Sequence, residues 1–264
     1  MVVPIERSEM NLTVTIITFN EELHIERSVK SALFADEVIV VDSNSTDRTV
    51  EIAEGLGAKV YQKAFMGYGQ QKNYAASLAK ETWIFSLDAD EEISEELKES
   101  IQKVLSKKPD TPLFQCKRLT RYCGKWIYHC GWYPDRQERL FKKGSVTWST
   151  PNVHERLIPN DKNTEIHDLT GHLLHYSFPD FKSQIKTNLN FSTKASLDLI
   201  ETSPDRVHLV SVMLKPMGKF LESYIFKKGF LDGIHGLFIG INSAHAMFMK
   251  YAMAYLAKKE KNGG

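Results

Sequence analysis

Residues 83–90 read Trp-Ile-Phe-Ser-Leu-Asp-Ala-Asp, so a mostly apolar run ends in two acids one residue apart. A short apolar run of this kind is typical of a buried strand. In an extended segment residues i and i+2 point to the same side, so Asp88 and Asp90 can face one ligand. Two carboxylates there suit Mg²⁺ or Mn²⁺ holding a diphosphate. The alternative is that acids favour the start of the next helix, and we expect Glu91 and Glu92 to do mainly that.

Strands and helices alternate from this point back to the beginning of the chain. The predicted strands are Thr13–Ile17, Val38–Val41, Ala58–Tyr61 and Trp83–Leu87, and the predicted helices are Glu21–Phe34, a segment through Val50 and Ala53, Gln70–Ala79 and Ser94–Lys107. Strands separated by one helix each pair in parallel through right-handed crossovers. The sequence therefore predicts an α/β fold with a mostly parallel, Rossmann-like sheet, whose ligand binds beyond the carboxyl ends of the strands.

Polar residues recur at those strand ends. Asp42 ends the second predicted strand, where a Rossmann acid binds a ribose hydroxyl. Residues 18–21, Thr-Phe-Asn-Glu, follow the first strand without the glycines of a dinucleotide fingerprint, and the chain has no P-loop. A diphosphate must then be held by metal and cations, for which Lys72 is the best-placed side chain. An ordinary solvated helix lysine is the equally weighted alternative.

Composition bounds the class of protein. The chain has 264 residues, 42% of them hydrophobic, and a net charge of +1. This excludes a disordered chain, and three cysteines spaced seven positions apart favour free buried thiols over a disulfide scaffold or a zinc site. No secretory signal is predicted at residues 1–10. From residue 204 onward nine Lys and Arg residues face four acids, which argues against a general nucleic-acid binder and leaves attraction to an anionic membrane open.

The last sixty residues are helical and apolar in pattern. Lys215-Pro216 predicts a break between helices. Residues 237–257 have nearly the length of a membrane span, but Asn242 and Lys250 are costly at a bilayer centre. We therefore expect amphipathic helices at 205–260 that lie in the membrane interface, with packing on the catalytic domain or an oligomer contact as the alternative.

The motifs in this order resemble family 2 glycosyltransferases. The resemblance rests on Thr18-Phe19-Asn20-Glu21-Glu22, the segment from Val40 to Thr49, Gln71-Lys72-Asn73 and Leu87-Asp88-Ala89-Asp90-Glu91. Downstream, Gly131-Trp132-Tyr133-Pro134-Asp135, Arg139-Leu140-Phe141, Val153-His154-Glu155 and Leu174-His175-Tyr176 are similar to a branch that contains bacterial lipopolysaccharide core glucosyltransferases. The resemblance implies a GT-A fold over residues 11–200, divided into a nucleotide-sugar half at 11–110 and an acceptor half at 111–200.

The resemblance also implies a UDP-sugar donor and a divalent metal. The residues implied to surround the nucleoside are Thr18, Asn20, Glu21, Asp42 and Asp88, with Lys72 nearby. Asp90 would hold the metal. Many relatives have Tyr where this chain has Phe19, so one hydroxyl contact is lost.

Inverting transfer needs a carboxylate that takes the proton of the acceptor hydroxyl. Candidates are Asp135, Glu138 and Glu155. The order of motifs in GT-A enzymes favours Glu155 as base and His175 as a third metal ligand, with Asp135 as the second choice. The alternatives are a structural ion pair for Glu155 and a core histidine at His175.

Trp132 and Tyr133 stand beside Asp135, so they form a candidate platform for a sugar or acceptor, with core packing as the equally weighted alternative. The resemblance, together with the basic apolar tail, thus implies an inverting, metal-dependent hexosyltransferase that acts on a glycolipid of the lipopolysaccharide inner core. Its partners would be a UDP-sugar, the glycolipid and the inner leaflet, and its place the cytoplasmic face of the inner membrane. A nucleotidyltransferase and a non-catalytic, membrane-associated sugar-binding protein are the rivals.

Overall fold

Four parallel strands form the part of the sheet that the sequence predicted. They are β1 (Leu12–Thr18), β2 (Glu37–Asp42), β3 (Lys59–Gln62) and β4 (Trp83–Asp88), and they lie side by side in the order β3-β2-β1-β4. The computed structural model describes residues 10–150 and 155–261. Every residue of β2 and nearly every residue of β1 and β4 is buried, as expected for a parallel sheet covered on both faces.

Four helices accompany these strands. They are α1 (Ile25–Ala32), α2 (Thr49–Gly55), α3 (Tyr68–Leu78) and α4 (Glu95–Ser106). The apolar face of α1 and that of α4 join the strands in one core that includes Ile16, Phe85 and Leu97. Burial of such side chains in the core stabilises the sheet.

The first helix begins four residues later than predicted. Residues 21–24 form a turn instead, because Asn20 adopts a φ of 54° and the backbone N–H groups that follow bind side chains of another loop. The N–H of Asn20 donates to Ser45 Oγ at 2.8 Å and the N–H of Glu21 to Thr49 Oγ1 at 2.8 Å. These side-chain oxygens take up N–H groups that have no partner within the helix, and so they fix the turn that leads into α1.

The rest of the sheet is antiparallel, and the sequence did not predict it. The added strands are β5 (Glu91–Ile93), β6 (Leu113–Tyr122), β7 (Lys125–Trp126), β8 (Asp135–Lys142), β9 (Val146–Trp148), β10 (Leu157–Pro159) and β11 (Ile166–Phe178). The sheet continues from β4 through β8, β6 and β11 to β5, while β9 and β10 form a separate pair. Gly171 in β11 has a φ of +86°, and a Cβ there would lie 2.3 Å from the backbone nitrogen of Leu97, so glycine lets β11 approach α4.

The chain divides into two compact units, each of them discontinuous. The first comprises residues up to Arg118 and Asp135–His175, and the second comprises Leu119–Pro134 and the residues from Tyr176 onward. The second unit contains the three long helices α5 (Phe181–Thr202), α6 (Leu209–Phe220) and α7 (Ile234–Lys261). Residues 176–200, which the sequence assigned to the catalytic domain, thus lie in the same unit as α6 and α7.

The second unit has its own core. Leu199 of α5, Val212 of α6, and Tyr251 and Ala254 of α7 form one buried cluster. Tyr122, Ile127, Cys130 and Ile239 form another. All three cysteines are free thiols, with Cys116 and Cys130 buried.

The predicted break at Pro216 is wrong, since α6 continues through that residue. A helix tolerates proline where its lost hydrogen bond is offset by packing, and α6 packs along α7. The chain instead departs from α-helix after Phe220, in a π-helical turn at Leu221–Phe226 and a 3₁₀ turn at Gly229–Asp232. None of the helices in residues 10–150 and 155–261 is both long and apolar enough to cross a bilayer.

Candidate active site

Three predicted donor-site residues stand at neighbouring strand ends in the first unit. Thr18 of β1 pairs with Asp42 of β2, and Ile17 of β1 pairs with Asp88 of β4. These are carboxyl ends of parallel strands, where ligands of open α/β sheets bind. Thr18 is buried, and its hydroxyl has no hydrogen-bond partner among the described residues. A buried polar atom of this kind is a candidate for a ligand contact.

Asp42 shapes the loop that follows β2. One of its carboxylate oxygens accepts the N–H of Ser45 at 2.8 Å, and the other accepts the Ser45 hydroxyl. Ser45 in turn accepts the N–H of Asn20, whose side-chain oxygen accepts the N–H of Thr46 at 2.8 Å. The loops after β1 and β2 are therefore joined at the strand ends. Phe19, which precedes Asn20, is 57% exposed.

Glu21 contributes to the same loop pair mainly through its backbone. Its carbonyl accepts the N–H groups of His24 and Ile25, and its carboxylate lies 2.7 Å from Nδ1 of His24. These contacts position the loop that carries Asn20.

Asp88 lies between two buried cations. Its Oδ2 accepts from Nη2 of Arg139 at 2.9 Å, and its Oδ1 lies 3.1 Å from Nζ of Lys72. Burial by itself raises the pKa of Asp88, but Arg139 and Lys72 outweigh burial and hold the pKa far below its usual range. Asp88 is therefore a fixed anion.

Lys72 is not a solvated helix lysine. Its side chain is only 3% exposed, and its Nζ lies 3.0 Å from Oε1 of Glu155 as well as beside Asp88. The same Nζ lies 4.7 Å from the ring centroid of Trp148. Gly69 permits this arrangement, because a Cβ there would lie 1.9 Å from the carbonyl oxygen of Ser149. The structure thus brings Lys72 and Glu155 together with Asp88.

Asp90 and His175 also meet, as the motif order predicted. Oδ2 of Asp90 lies 3.1 Å from Nε2 of His175, and both side chains are largely shielded from solvent. Desolvation opposes both charges, but their mutual attraction and hydrogen bond raise the pKa of His175 and lower the pKa of Asp90. An oxygen donor and an imidazole therefore stand side by side, beyond the end of β4.

Glu91 and Arg139 were missed as site residues. The expectation that Glu91 favours the start of a helix is wrong, since Glu91 lies in β5, is buried, and has its Oε1 2.8 Å from Nη2 of Arg139. Its Oε2 accepts the N–H of Asp88 at 3.1 Å. The one sequence signal was the charge of Arg139 directly before the apolar pair Leu140-Phe141, a pattern that fits a solvated arginine as well as a buried, paired one.

These ion pairs form a continuous series, which we call the charge chain. Its members alternate in sign and run in the order Glu155, Lys72, Asp88, Arg139, Glu91, Arg118, Asp135. The two predicted bases stand at its opposite ends. Asp135 accepts from Nε of Arg118 at 2.8 Å and from Nε2 of Gln137 at 2.7 Å, so both its oxygens are engaged. The third candidate, Glu138, is half-buried, and burial raises its pKa.

Among residues 10–150 and 155–261, no cluster of three or more His, Cys, Asp or Glu side chains is arranged to hold a metal. Asp90 and His175 are therefore the two side chains at this position that could bind a metal. Asp88 is paired with Arg139 and Lys72 and is not grouped with them. Val153 and His154, part of the motif that introduced Glu155, lie outside the described residues.

Trp132 and Tyr133 belong to the second unit. The Trp132 ring packs edge-on against Tyr122, with ring centroids 5.8 Å apart, and tilted against Phe178 at 5.6 Å. Tyr133 packs edge-on against Tyr128 at 5.6 Å. Trp132 thus makes the core contacts that the sequence left as an alternative, and sugar binding by this pair stays a prediction.

Comparison with known proteins finds glycosyltransferases that are similar to most of the chain. The family model for glycosyl transferase family 2 matches residues 13–183. A glycosyltransferase of Rickettsia bellii is 32% identical over 248 residues, which cover 90% of this chain and 83% of the relative. The lipopolysaccharide core biosynthesis glycosyltransferase LpsC of Rhizobium meliloti is 25% identical over 94% of this chain and 93% of its own.

A solved structure of glucosyl-3-phosphoglycerate synthase from Mycobacterium tuberculosis aligns with a TM-score of 0.46 and 16% identity, covering 74% of this chain and 85% of that one.

An α/β sheet with acids and a buried lysine at its carboxyl edge has a candidate ligand site there. The matched length and the identity to the relatives go further: the chain belongs to glycosyl transferase family 2. The predicted family and the predicted α/β fold of GT-A type with a C-terminal helical region are thus confirmed, with the parallel part of the sheet limited to four strands.

Proposed function

We propose that this glycosyltransferase moves a hexose, with glucose as the first candidate, from a UDP-sugar to a hydroxyl of a glycolipid with inversion. The observation that carries the proposal is the adjacency of Thr18, Asp42 and Asp88 at one sheet edge, with Asp90 beside His175 just beyond it. This arrangement supports a donor whose ribose and base contact Asp42 and the Asn20 loop and whose diphosphate lies near Asp90.

Asp90 and His175 fit a divalent cation. Mg²⁺ binds through one or two carboxylates together with substrate phosphates, and Mn²⁺ accepts imidazole as well, so two protein donors suffice when a diphosphate supplies the others. Such an ion, when bound, neutralises the charge that develops on the leaving diphosphate. The raised pKa of His175 means that the ion competes with a proton for this ligand.

Glu155 is the proposed base. As the acceptor oxygen forms its bond to the anomeric carbon and the bond to the diphosphate breaks, the hydroxyl proton passes to a carboxylate. Lys72 holds Oε1 of Glu155 at 3.0 Å and thereby fixes its position. Asp135 remains the second candidate, but its two oxygens are already engaged by Arg118 and Gln137.

The acceptor is proposed from the relatives. LpsC is named for lipopolysaccharide core biosynthesis and shares nearly the whole length of the chain. We propose an inner-core sugar, with a heptose as first candidate, as acceptor, and Trp132 and Tyr133 as residues that contact a sugar ring. Such a lipid-linked acceptor places the enzyme at the cytoplasmic face of the inner membrane.

The test replaces Asp90 with Asn and measures UDP binding by calorimetry in Mn²⁺ and in EDTA. Wild-type protein should bind UDP more tightly with Mn²⁺, and Asp90→Asn should remove that gain, a loss of roughly tenfold or more. The same variant should abolish UDP release from UDP-glucose with a heptose-bearing lipopolysaccharide core.

The control is Glu92→Gln, which also replaces a carboxylate with an amide, two residues away. This variant should behave as wild type. Equal affinity of the wild-type protein in Mn²⁺ and in EDTA, or full turnover by Asp90→Asn, would contradict the metal role.

A further inference from the structure

One face of α6 is apolar and exposed. Leu209, Val210, Met213, Leu214 and Met217 are each between 59% and 63% exposed. At 100° per residue these positions lie on one side of the helix, while buried Val212 points to the opposite side and packs against α7. The helix is therefore anchored by one side and leaves its apolar side uncovered.

The exposed apolar surface continues beyond α6 through the two short turns. The added side chains are Leu221, Ile225, Phe226, Phe230, Leu231 and Ile234, all between 46% and 75% exposed. We call the exposed apolar side chains of residues 209–234 the apolar face. Monomeric proteins seldom expose so many neighbouring large apolar side chains unless they bind a partner or a membrane there.

The charges of the same segment are almost all positive. It contains Lys215, Lys219, Lys227 and Lys228, and Glu222 is its one exposed acid. Asp232 is buried, with its carboxylate engaged by the N–H groups of Tyr128 and His129. At 100° per residue Lys215 and Lys219 lie on the Val212 side of α6, whereas Lys227 and Lys228 directly follow exposed Phe226. Lysines beside an apolar surface complement the phosphate groups of anionic lipids. They oppose a second copy of the chain, because an isologous contact would place the same lysines against each other.

The segment at residues 237–257, a candidate span from its sequence alone, packs within the second unit. Within residues 237–257, Ile239, Asn242, Tyr251 and Ala254 are buried, and α7 packs against both α5 and α6. It serves as the scaffold that holds α6 in position. Because none of the described helices can cross a bilayer, contact with lipid requires a segment that lies in the plane of the interface.

We propose that the apolar face at residues 209–234 docks on an anionic bilayer surface, with α6 parallel to the membrane plane. This deepens the proposed function, because it names the surface that brings the enzyme to a lipid-linked acceptor. The side chains of Met217 and Phe226 enter the acyl boundary, and Lys227 and Lys228 meet lipid phosphates.

The test is flotation of the full-length protein with vesicles of phosphatidylglycerol and phosphatidylethanolamine. Wild-type protein should float with them, and Leu209→Gln combined with Met217→Gln should lower the bound-to-free ratio roughly tenfold or more. Leu189→Gln combined with Leu197→Gln is the matched control, since these two are also eight positions apart and exposed on a helix of the same unit. The control should float as wild type does.

A second arm tests the charges. Lys227→Gln combined with Lys228→Gln should weaken binding to anionic vesicles and reduce its dependence on salt. UDP binding in Mn²⁺ should be unchanged in every one of these variants, which separates a failure of the membrane face from a failure of the transferase proposal. Undiminished flotation of the Leu209/Met217 variant would overturn the proposal. So would a lipid-free dimer that this variant abolishes.

Discussion

The two candidate bases differ in what their carboxylates already hold. Asp135 has Arg118 on one oxygen and Gln137 on the other, whereas Glu155 is held through Oε1 by Lys72. A base must offer a lone pair to the incoming hydroxyl, so engagement of both oxygens counts against Asp135.

Glu155→Gln should lower turnover about 10²-fold or more, because an amide cannot take the proton. Its hydrogen bond to Lys72 can persist, so the dissociation constant for UDP-glucose in Mn²⁺ should stay unchanged. Single-turnover kinetics and calorimetry measure the two quantities. Asp135→Asn is the matched change at the other end of the charge chain. A larger loss of turnover there, with donor binding intact, would move the base to Asp135.

Residue-level prediction from the order of motifs anticipated one contact, and the metal role of that pair stays a prediction. Asp90 and His175 lie 85 positions apart and still meet, as the order of motifs implied. It failed at Glu91 and Arg139, because a buried ion pair leaves no periodic signal in the sequence. Arg139, next to Leu140, could be solvated or buried in an ion pair, and which of the two occurs depends on the residues of the neighbouring strands.

At the scale of elements, Glu37 connects three strands. This buried side chain at the start of β2 accepts from Oγ1 of Thr13 in β1 at 3.0 Å, from Nζ of Lys59 in β3 at 2.7 Å, and from the N–H of Lys80 before β4 at 3.0 Å. Burial raises the pKa of Glu37, but these donors outweigh burial, and the net pKa is lowered.

A lowered pKa in the folded state stabilises the fold above the unfolded pKa of 4.5, and this contribution is lost as pH falls through the folded value. Glu37→Gln should therefore reduce the free energy of unfolding by about 1.5–3 kcal/mol at pH 7, with a smaller difference at pH 3. Urea unfolding at both pH values measures it. Glu54→Gln, at an exposed position of α2, should change neither value, and a Glu37→Gln deficit that stays constant with pH would contradict the mechanism.

The elements themselves were predictable where their pattern was regular. Strands β1 to β4 lie within one residue of their predicted bounds, because each is a short apolar run between turn signals. Strand β8 was not predicted, because its first five residues are Asp-Arg-Gln-Glu-Arg, and the acids that pair with Arg136 and Arg139 lie on other strands. No local pattern distinguishes such a strand from a surface loop.

At the scale of the whole molecule, the second unit is built from distant pieces. His129 and Asp232 are 103 positions apart, and the N–H of His129 donates to Asp232 at 2.9 Å. Tyr122 donates to Gln184 at 2.7 Å, and Gln184 also binds the Asn242 amide. Changes in composition along the chain predict domains that are continuous in sequence. They could not predict a unit that joins residues 119–134 to the C-terminal helices.

Ending the chain after Phe230 should therefore not yield a folded catalytic domain. Loss of buried Ile239 and Tyr251 costs about 2–5 kcal/mol each, against a total stability of about 5–15 kcal/mol for a typical domain. Thermal unfolding and limited proteolysis should show an unprotected segment at residues 119–134. A chain that ends after Lys258 retains both residues and should unfold as wild type does. A cooperative, wild-type melting curve for the shorter truncation would refute the dependence.

The bond between His129 and Asp232 also sets an order for synthesis in the cell. At roughly 5–20 residues per second, about 5–20 s separate the two residues at the ribosome. During that interval the loop around Ile127 and Cys130 has emerged without the helix that later buries it. Nascent chains stalled before α7 should accordingly recruit chaperones at this loop, and those stalled after it has left the exit tunnel should not.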